Sequence, residues 1–305
     1  VIVPTYNSRV TLRCALESLL AQEFSDFEAW IVGDSCTDGS EEEIVKLADA
    51  RLHWINLAQN TGSQWRPNNE GLLRARGRYV AYLGHDDLWL PWHLSALITH
   101  AENRGADLVH DLLVNLAPEG ILDVAGPPAH GVGYERHGFP PSSWLHRREL
   151  IDKVGLWRDP MQLTWNTDYD FTRRVYIAGL RIEFVPSLGA VKFPAAHWRN
   201  YRATGQRPQP SHLEAMLRNP VAFAEKILVD SAVSFSRRTD QGAKEPLPLA
   251  LRDAVHACAR AFKVFIRAAL DLYGRERWPL RPLLRKRMQR ILGRSRVARG
   301  LSTKV

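Results

Sequence analysis

Tyr79-Val80-Ala81-Tyr82-Leu83-Gly84-His85-Asp86-Asp87-Leu88-Trp89 is the stretch on which the reading of this chain turns. An apolar run with the pattern of a buried strand stops at two adjacent carboxylates, and a buried strand does not tolerate a pair of unpaired like charges. Asp86 and Asp87 are therefore expected at the strand's exit. In an open α/β sheet, ligands bind in the crevice outside the carboxyl ends of the strands. Asp86 and Asp87 would there hold a divalent cation, which in turn would hold a phosphorylated ligand. Equally, one of the two would do no more than cap the helix expected to begin near Pro91.

Upstream, the same unit recurs. Val1-Ile2-Val3-Pro4 is a short β-branched run stopped by proline, and Thr5-Tyr6-Asn7-Ser8 supplies turn and cap residues. Leu12, Ala15, Leu16, Leu19 and Leu20 then follow at helical spacing. A second strand is expected over 29–32, running into the polar loop Gly33-Asp34-Ser35-Cys36-Thr37-Asp38-Gly39-Ser40 and a helix marked by Ile44, Leu47 and Ala48. A third strand, over 52–57, leads through Asn60-Thr61-Gly62 to a helix ending near Gly77. With the opening stretch as the fourth strand and Leu94, Leu97 and Ile98 on the helix after it, strands alternate with helices, which implies parallel pairing and right-handed crossovers.

Downstream the pattern loosens after a fifth strand over 107–114. Residues 118–141, rich in Gly, Pro and His, read as a hairpin or loop insertion of the kind that builds binding surfaces. Thr167 is placed to cap a helix whose apolar face is Phe171, Val175 and Ala178 and which stops at Gly179. Asp168 then falls in the first turn, where the helix dipole favours a charged carboxylate. A strand over 181–185 and the segment Ala195-Ala196-His197-Trp198-Arg199-Asn200-Tyr201-Arg202 follow. Beyond about Ser211 the texture is helical only, giving an expected division into 1–210 and a helical extension, 211–305.

The formal charge of the 305 residues is +8, but residues 275–305 carry nine Arg and two Lys against one acid, so the charge belongs to a tail and the rest is close to neutral. The tail's stripe of Leu280, Leu283, Leu284, Met288, Ile291 and Leu292 beside arginines fits a helix lying on an anionic membrane surface, or one packed on the body with its charges outward. Nucleic acid is not expected, because the body is not basic and the tail has little aromatic interleaving. Cys14, Cys36 and Cys258 are too few and too far apart for a disulfide framework or a zinc site. A reducing cytoplasm, or the inner face of a membrane, is the expected location.

Four segments together resemble the family 2 glycosyltransferases, which have the GT-A fold: Val1-Ile2-Val3-Pro4-Thr5-Tyr6-Asn7, Gly33-Asp34-Ser35-Cys36-Thr37-Asp38-Gly39-Ser40, Leu83-Gly84-His85-Asp86-Asp87-Leu88-Trp89, and Asn166-Thr167-Asp168-Tyr169-Asp170 with Arg173. The resemblance covers about the first 200 residues and rests on order and spacing. It implies a Rossmann-like, mostly parallel α/β sheet flanked by helices. It also implies transfer of a sugar from a nucleotide-diphosphate donor, such as a UDP-sugar, to a glycan, lipid-linked or small-molecule acceptor, with inversion and a Mg²⁺ or Mn²⁺ ion.

Carried over residue by residue, the resemblance implies that Pro4, Thr5 and Tyr6 line the nucleoside pocket and that Asp34 accepts from the base. Asp86 would reach the metal and the diphosphate, with Asp87 beside it and His197 completing the metal site. Arg66 would stand in for a donor-binding arginine, and Asp168 would be the general base that takes the acceptor's proton. Asp170 is the runner-up base, and Arg199 and Arg202 are candidates to neutralise the departing diphosphate. The family usually has an acid where this chain has Gly33, Gly84 and Thr167. Those departures keep a second reading open, a non-catalytic descendant that binds a nucleotide or glycan and recruits partners. A nucleotidyltransferase also pairs aspartates on an α/β sheet, but the first strand here is followed by no glycine-rich triphosphate loop.

Overall fold

A computed structural model describes residues 1–129, 133–195, 197–198 and 207–240. The basic tail, the helical stripes beyond 240, Arg199 and Arg202 lie outside the described residues. A first compact unit spans Val1–Ser231. Among the described residues, no helix is long and apolar enough to cross a membrane.

The N-terminal half follows the expected alternation: β1 (Ile2–Thr5), α1 (Arg9–Leu20), β2 (Ala29–Gly33), α2 (Ser40–Leu47), β3 (Leu52–Asn56), α3 (Trp65–Leu72), β4 (Tyr79–Ala81). β1, β2 and β3 pair in parallel. A single parallel bridge, Ile2 with Tyr82, brings the first sheet against β4.

Beyond β4 the pairing is mixed. The chain continues with β5 (Leu88–Trp89), α4 (His93–Arg104), β6 (Leu108–Ala117), β7 (Gly120–Ala125), β8 (Trp144–Arg147), α5 (Leu150–Val154), α6 (Thr167–Ile177) and β9 (Ile182–Lys192). The second sheet has the order β4-β8-β6-β9-β5, with β7 paired to β6. Only β6 and β9 run parallel there; β4–β8, β6–β8, β5–β9 and β6–β7 are antiparallel. The insertion over 118–141 thus opens as a hairpin, β6–β7, whose tight turn uses Gly120 at φ +118°, a conformation glycine adopts without a Cβ penalty.

Three apolar clusters hold these layers. One, with Val3, Leu16, Ile31, Leu83, Trp89, Leu97 and Val109, lies under α1, α2 and α4. A second joins the β5–β9 edge, through Leu88, Val191 and Phe193, to Leu213, Met216 and Phe223 of the helices Gln209–Arg218 and Pro220–Asp240. The third is aromatic: Tyr82, Trp144, Trp157 and Phe171 are buried together with Ile2 and Val175. Phe171 stacks on Trp157 with ring centroids 4.9 Å apart and on Trp144 at 5.4 Å. Burying such a ring stabilises by about 1.5–3 kcal/mol, so the start of α6 is nailed to the sheet at one residue.

Candidate functional site

The loops leaving β1, β2 and β4 meet at one end of the sheet. Backbone bonds set the spacing: Asp34 N donates to Thr5 O at 2.8 Å, and Leu83 N to Ile2 O at 3.0 Å. His85 Nδ1 lies 3.2 Å from Pro4 O, tying the fourth-strand exit to the first. The first two loops are laced by side chains. Asn7 Oδ1 accepts from Thr37 N at 2.8 Å, and Asn56 acts as a backbone substitute for Cys36, accepting from its N–H and donating to its carbonyl. Cys36 is buried, and burial raises its thiol pKa, as suits a small filler. Pro4, Thr5, Tyr6, Asp34, His85 and Asp86 are thus brought together, while Arg66 lies in the first turn of α3 with an exposed side chain.

Asp34 is engaged otherwise than expected. It is buried, and its oxygens accept from Thr61 N at 2.9 and 3.0 Å, Thr61 Oγ1 at 3.0 Å and Gly62 N at 3.0 Å. Three donors, the Thr61 and Gly62 N–H groups and the Thr61 hydroxyl, converge on the carboxylate, so Asp34 holds the Asn60-Thr61-Gly62 loop.

Asp87 is likewise taken. It is fully buried, its Oδ2 accepts from Ser142 Oγ at 2.5 Å, and Lys192 Nζ lies 3.0 Å from Oδ2 and 3.2 Å from Oδ1. Asp86 is half-buried, and its backbone carbonyl accepts from the buried Gln209 amide at 3.2 Å. His197 is exposed in a turn closed by its N–H on Pro194 O. Among the described residues, no group of three His, Cys, Asp or Glu could hold a metal ion, so the expected set of Asp86, Asp87 and His197 does not form. With Asp87 spent on Lys192 and Ser142, the residues present do not fit the metal site that the resemblance implied.

Two of the positions that lack an acid have no room for a side chain. A Cβ on Gly84 would lie 2.5 Å from Asp87 Oδ2, and one on Gly33 would lie 2.6 Å from the Trp54 ring and 2.7 Å from Asn56 Oδ1. Both positions are filled by a neighbour's side chain.

Asp168 sits in the first turn of α6, as expected, but the N-cap residue is Asn166, not Thr167, whose hydroxyl donates to Arg158 O at 2.9 Å. Asp168 and Phe171 are three residues apart and so share a helix face. The ring is locked in the aromatic cluster and fixes the carboxylate one turn above it. The lock has its own support. Asn69 makes two 2.9 Å bonds to the Trp157 backbone, and Trp157 Nε1 donates to the Tyr82 hydroxyl at 3.1 Å. That hydroxyl lies 3.0 Å from His146 Nε2, and His146 Nδ1 is 2.7 Å from Arg147 O. Burial lowers the His146 pKa to about 4, so the ring is neutral and its one proton belongs on Nδ1, facing the carbonyl.

Burial raises the proton affinity of Asp168, and the Tyr169 N–H and Lys192 partly counter it. Asp170, the runner-up base, is instead a structural carboxylate: Arg174 Nε donates to it at 2.8 Å, and the same guanidinium reaches the carbonyls of Val154, Gly155 and Leu156.

Lys192 unites the site. Burial alone would lower its pKa, but Asp87, Asp86 and Asp168 together raise it, so the ammonium stays charged among three carboxylates. Lys192 ends β9 in the run Ala190-Val191-Lys192, the same apolar-run-then-charge pattern that marked Asp86. Ser142 and Gln209 carry no such signal.

Residues 1–115 match the model of Glycosyl transferase family 2. An uncharacterised glycosyltransferase of Nostoc sp. is 28% identical over 218 residues, covering 67% of this chain and 64% of that protein. The Escherichia coli protein WfaP, named as a UDP-Glc:alpha-D-GlcNAc-diphosphoundecaprenol beta-1,3-glucosyltransferase, is 33% identical over 104 residues, 34% of this chain and 41% of its own. The chain thus spans less than two-thirds of these relatives. Staphylococcus aureus TarS 1–349, crystallised with UDP-GlcNAc, superposes with a TM-score of 0.55 at 22% identity over 63% of this chain and 57% of that one, a likeness of fold. Residues 1–115 are thus similar to glycosyl transferase family 2, and the fold is that of the GT-A glycosyltransferases.

Proposed function

We propose that the chain transfers a sugar from a nucleotide-diphosphate donor, a UDP-sugar in the first instance, to an acceptor hydroxyl with inversion, and that Asp168 is the general base. The observation that carries this is the Asp168 carboxylate in the first turn of α6, one turn from the Phe171 ring locked in the aromatic stack and close enough to the Lys192 ammonium to feel its charge. Asp168 takes the proton of the acceptor hydroxyl, and the oxygen forms its bond to the anomeric carbon. The bond from that carbon to the diphosphate breaks on the opposite face, and its electron pair leaves on the diphosphate, which inverts the centre. A carboxylate whose pKa is raised by burial is a stronger base than an ordinary one. Thr5 and Tyr6, beside the loop that Asp34 holds, form the nucleoside side of the site. The named specificity of WfaP, and the UDP-GlcNAc bound to TarS, support a UDP-sugar donor; WfaP also supports a lipid-linked acceptor.

The test is Asp168→Asn with a panel of UDP-sugars and lipid-diphosphate acceptors. Turnover should fall about 10²–10⁴-fold while donor binding stays within about twofold. Undiminished turnover removes Asp168 as base. A wild-type chain that neither binds nor consumes any nucleotide sugar removes the function.

A further inference from the structure

We infer that Lys192 holds the donor's diphosphate through its side-chain ammonium, so that nucleoside diphosphate binding here does not depend on a divalent cation. The inference rests on the donor reading above. Its first support is the failed fit of a metal: Asp87 has both oxygens engaged, Gly84 leaves no room for a second acid, and among the described residues the exposed His197 joins no group of three metal-ligating side chains.

The second support is the geometry of the lysine. An ammonium has three donors. Two directions go to the oxygens of Asp87, and among the described residues no other acceptor lies within hydrogen-bond distance of Nζ. Its side chain is 26% exposed, whereas Asp87 is fully covered, so the pair opens to solvent on the lysine's side. The buried partner cancels a charge that would otherwise strain the core, and fixes the ammonium at the end of β9. A phosphate oxygen arriving from the crevice meets a preorganised, charge-assisted donor. Asp168 lies in the field of this ammonium, so the diphosphate would leave from beside Lys192 as Asp168 takes the acceptor's proton.

The experiment compares UDP with uridine, and GDP with guanosine, by calorimetry on the full chain in Mn²⁺ and in chelator. The phosphate contact is read as the preference of diphosphate over nucleoside. In the wild type that preference should be tenfold or more and should persist in chelator. Lys192→Met should reduce it at least tenfold while nucleoside affinity is unchanged, and Lys192→Arg should keep most of it. Because Lys192→Met strands the buried Asp87 charge, Asp87→Asn with Lys192→Met serves as the folded control and should show the same loss. Equal loss of UDP and uridine, no loss, or a preference that vanishes in chelator with Lys192 intact would overturn the inference while leaving the donor site standing. No binding of either pair under any condition would overturn the donor reading and the inference with it.

Discussion

Gly84→Ala puts the steric account of the site to a quantitative test. The new Cβ would lie 2.5 Å from Asp87 Oδ2 and 3.0 Å from its Cγ, where ordinary contact begins at 3.4 Å. The carboxylate must therefore move by about 0.9 Å, the shortfall of that Oδ2 contact against ordinary van der Waals distance. It is fully buried and is held by Ser142 at 2.5 Å and Lys192 at 3.0 Å, so any such movement stretches both bonds. Overpacking alone costs about 1–3 kcal/mol. Breaking a buried pair outright costs about 3–5 kcal/mol. The expected loss lies between, about 2–4 kcal/mol, read as a shift of the urea midpoint at constant slope. Placing Gly84→Ala on an Asp87→Ala background separates the cause: the clash is gone there, and the second substitution should add less than about 0.5 kcal/mol. A loss below about 0.5 kcal/mol in the wild-type background, or equal losses in both, would refute the claim that Asp87 fills the place of an acid at 84. By the same reasoning Gly84→Asp, which installs the acid usual in the family, should destabilise the chain.

The acid limb of turnover should lie above the ordinary carboxylate range near pH 4, because burial raises the pKa of Asp168 and the base works only when deprotonated. A limb at or below pH 4 in the log kcat profile would contradict the half-buried, desolvated setting of the base. Asp111, fully buried against His93 at 2.7 Å, has its pKa pushed up to about 6, chiefly by burial. A carboxyl whose folded pKa exceeds its unfolded one binds its proton more tightly when folded, so its contribution falls as pH rises from about 4 to about 6 and is constant above. The loss is on the order of 3 kcal/mol. Asp111→Asn should flatten the urea midpoint between pH 4.5 and 7, and an unchanged slope would exclude Asp111 as its source.

The sequence showed the donor half of the fold because each of its strands ends in a chemically conspicuous loop: Pro4-Thr5-Tyr6, Gly33-Asp34, and Gly84-His85-Asp86-Asp87. Asp168 was legible for the same reason, as an acid at a helix start. The rest was not, for reasons of distance and polarity. β5 is two residues long and exists because Leu88 and Trp89 pair antiparallel with Val191 and Ala190, about a hundred residues on. β8 slips between β4 and β6 in the antiparallel sense, which no alternation of strands and helices announces. β9 runs on past 185 because Pro186 falls where the register with β6 shifts, and a bulge tolerates a residue without an N–H. The missed extension of β9 hid Lys192, and with it the partner of Asp87.

The absence of acids at 33, 84 and 167 reads, from sequence, as decay toward a binding protein. The structure makes the opposite argument. Decay leaves holes, whereas Gly33 is filled by Trp54 and Asn56, Gly84 by Asp87, and the Thr167 hydroxyl is bonded to Arg158. A lysine–aspartate pair with a fully buried carboxylate is weak evidence for stability, since apolar residues of like size would serve the fold as well or better. A scaffold freed from chemistry would gain by losing it. Here the pair stands beside a second carboxylate, Asp168, whose burial also opposes its charge, and both are fixed by separate networks, Ser142 on one side and the Tyr82–Trp157–Phe171 stack on the other. Two desolvated carboxylates held on rigid supports in the field of one ammonium are the arrangement expected of a working active site.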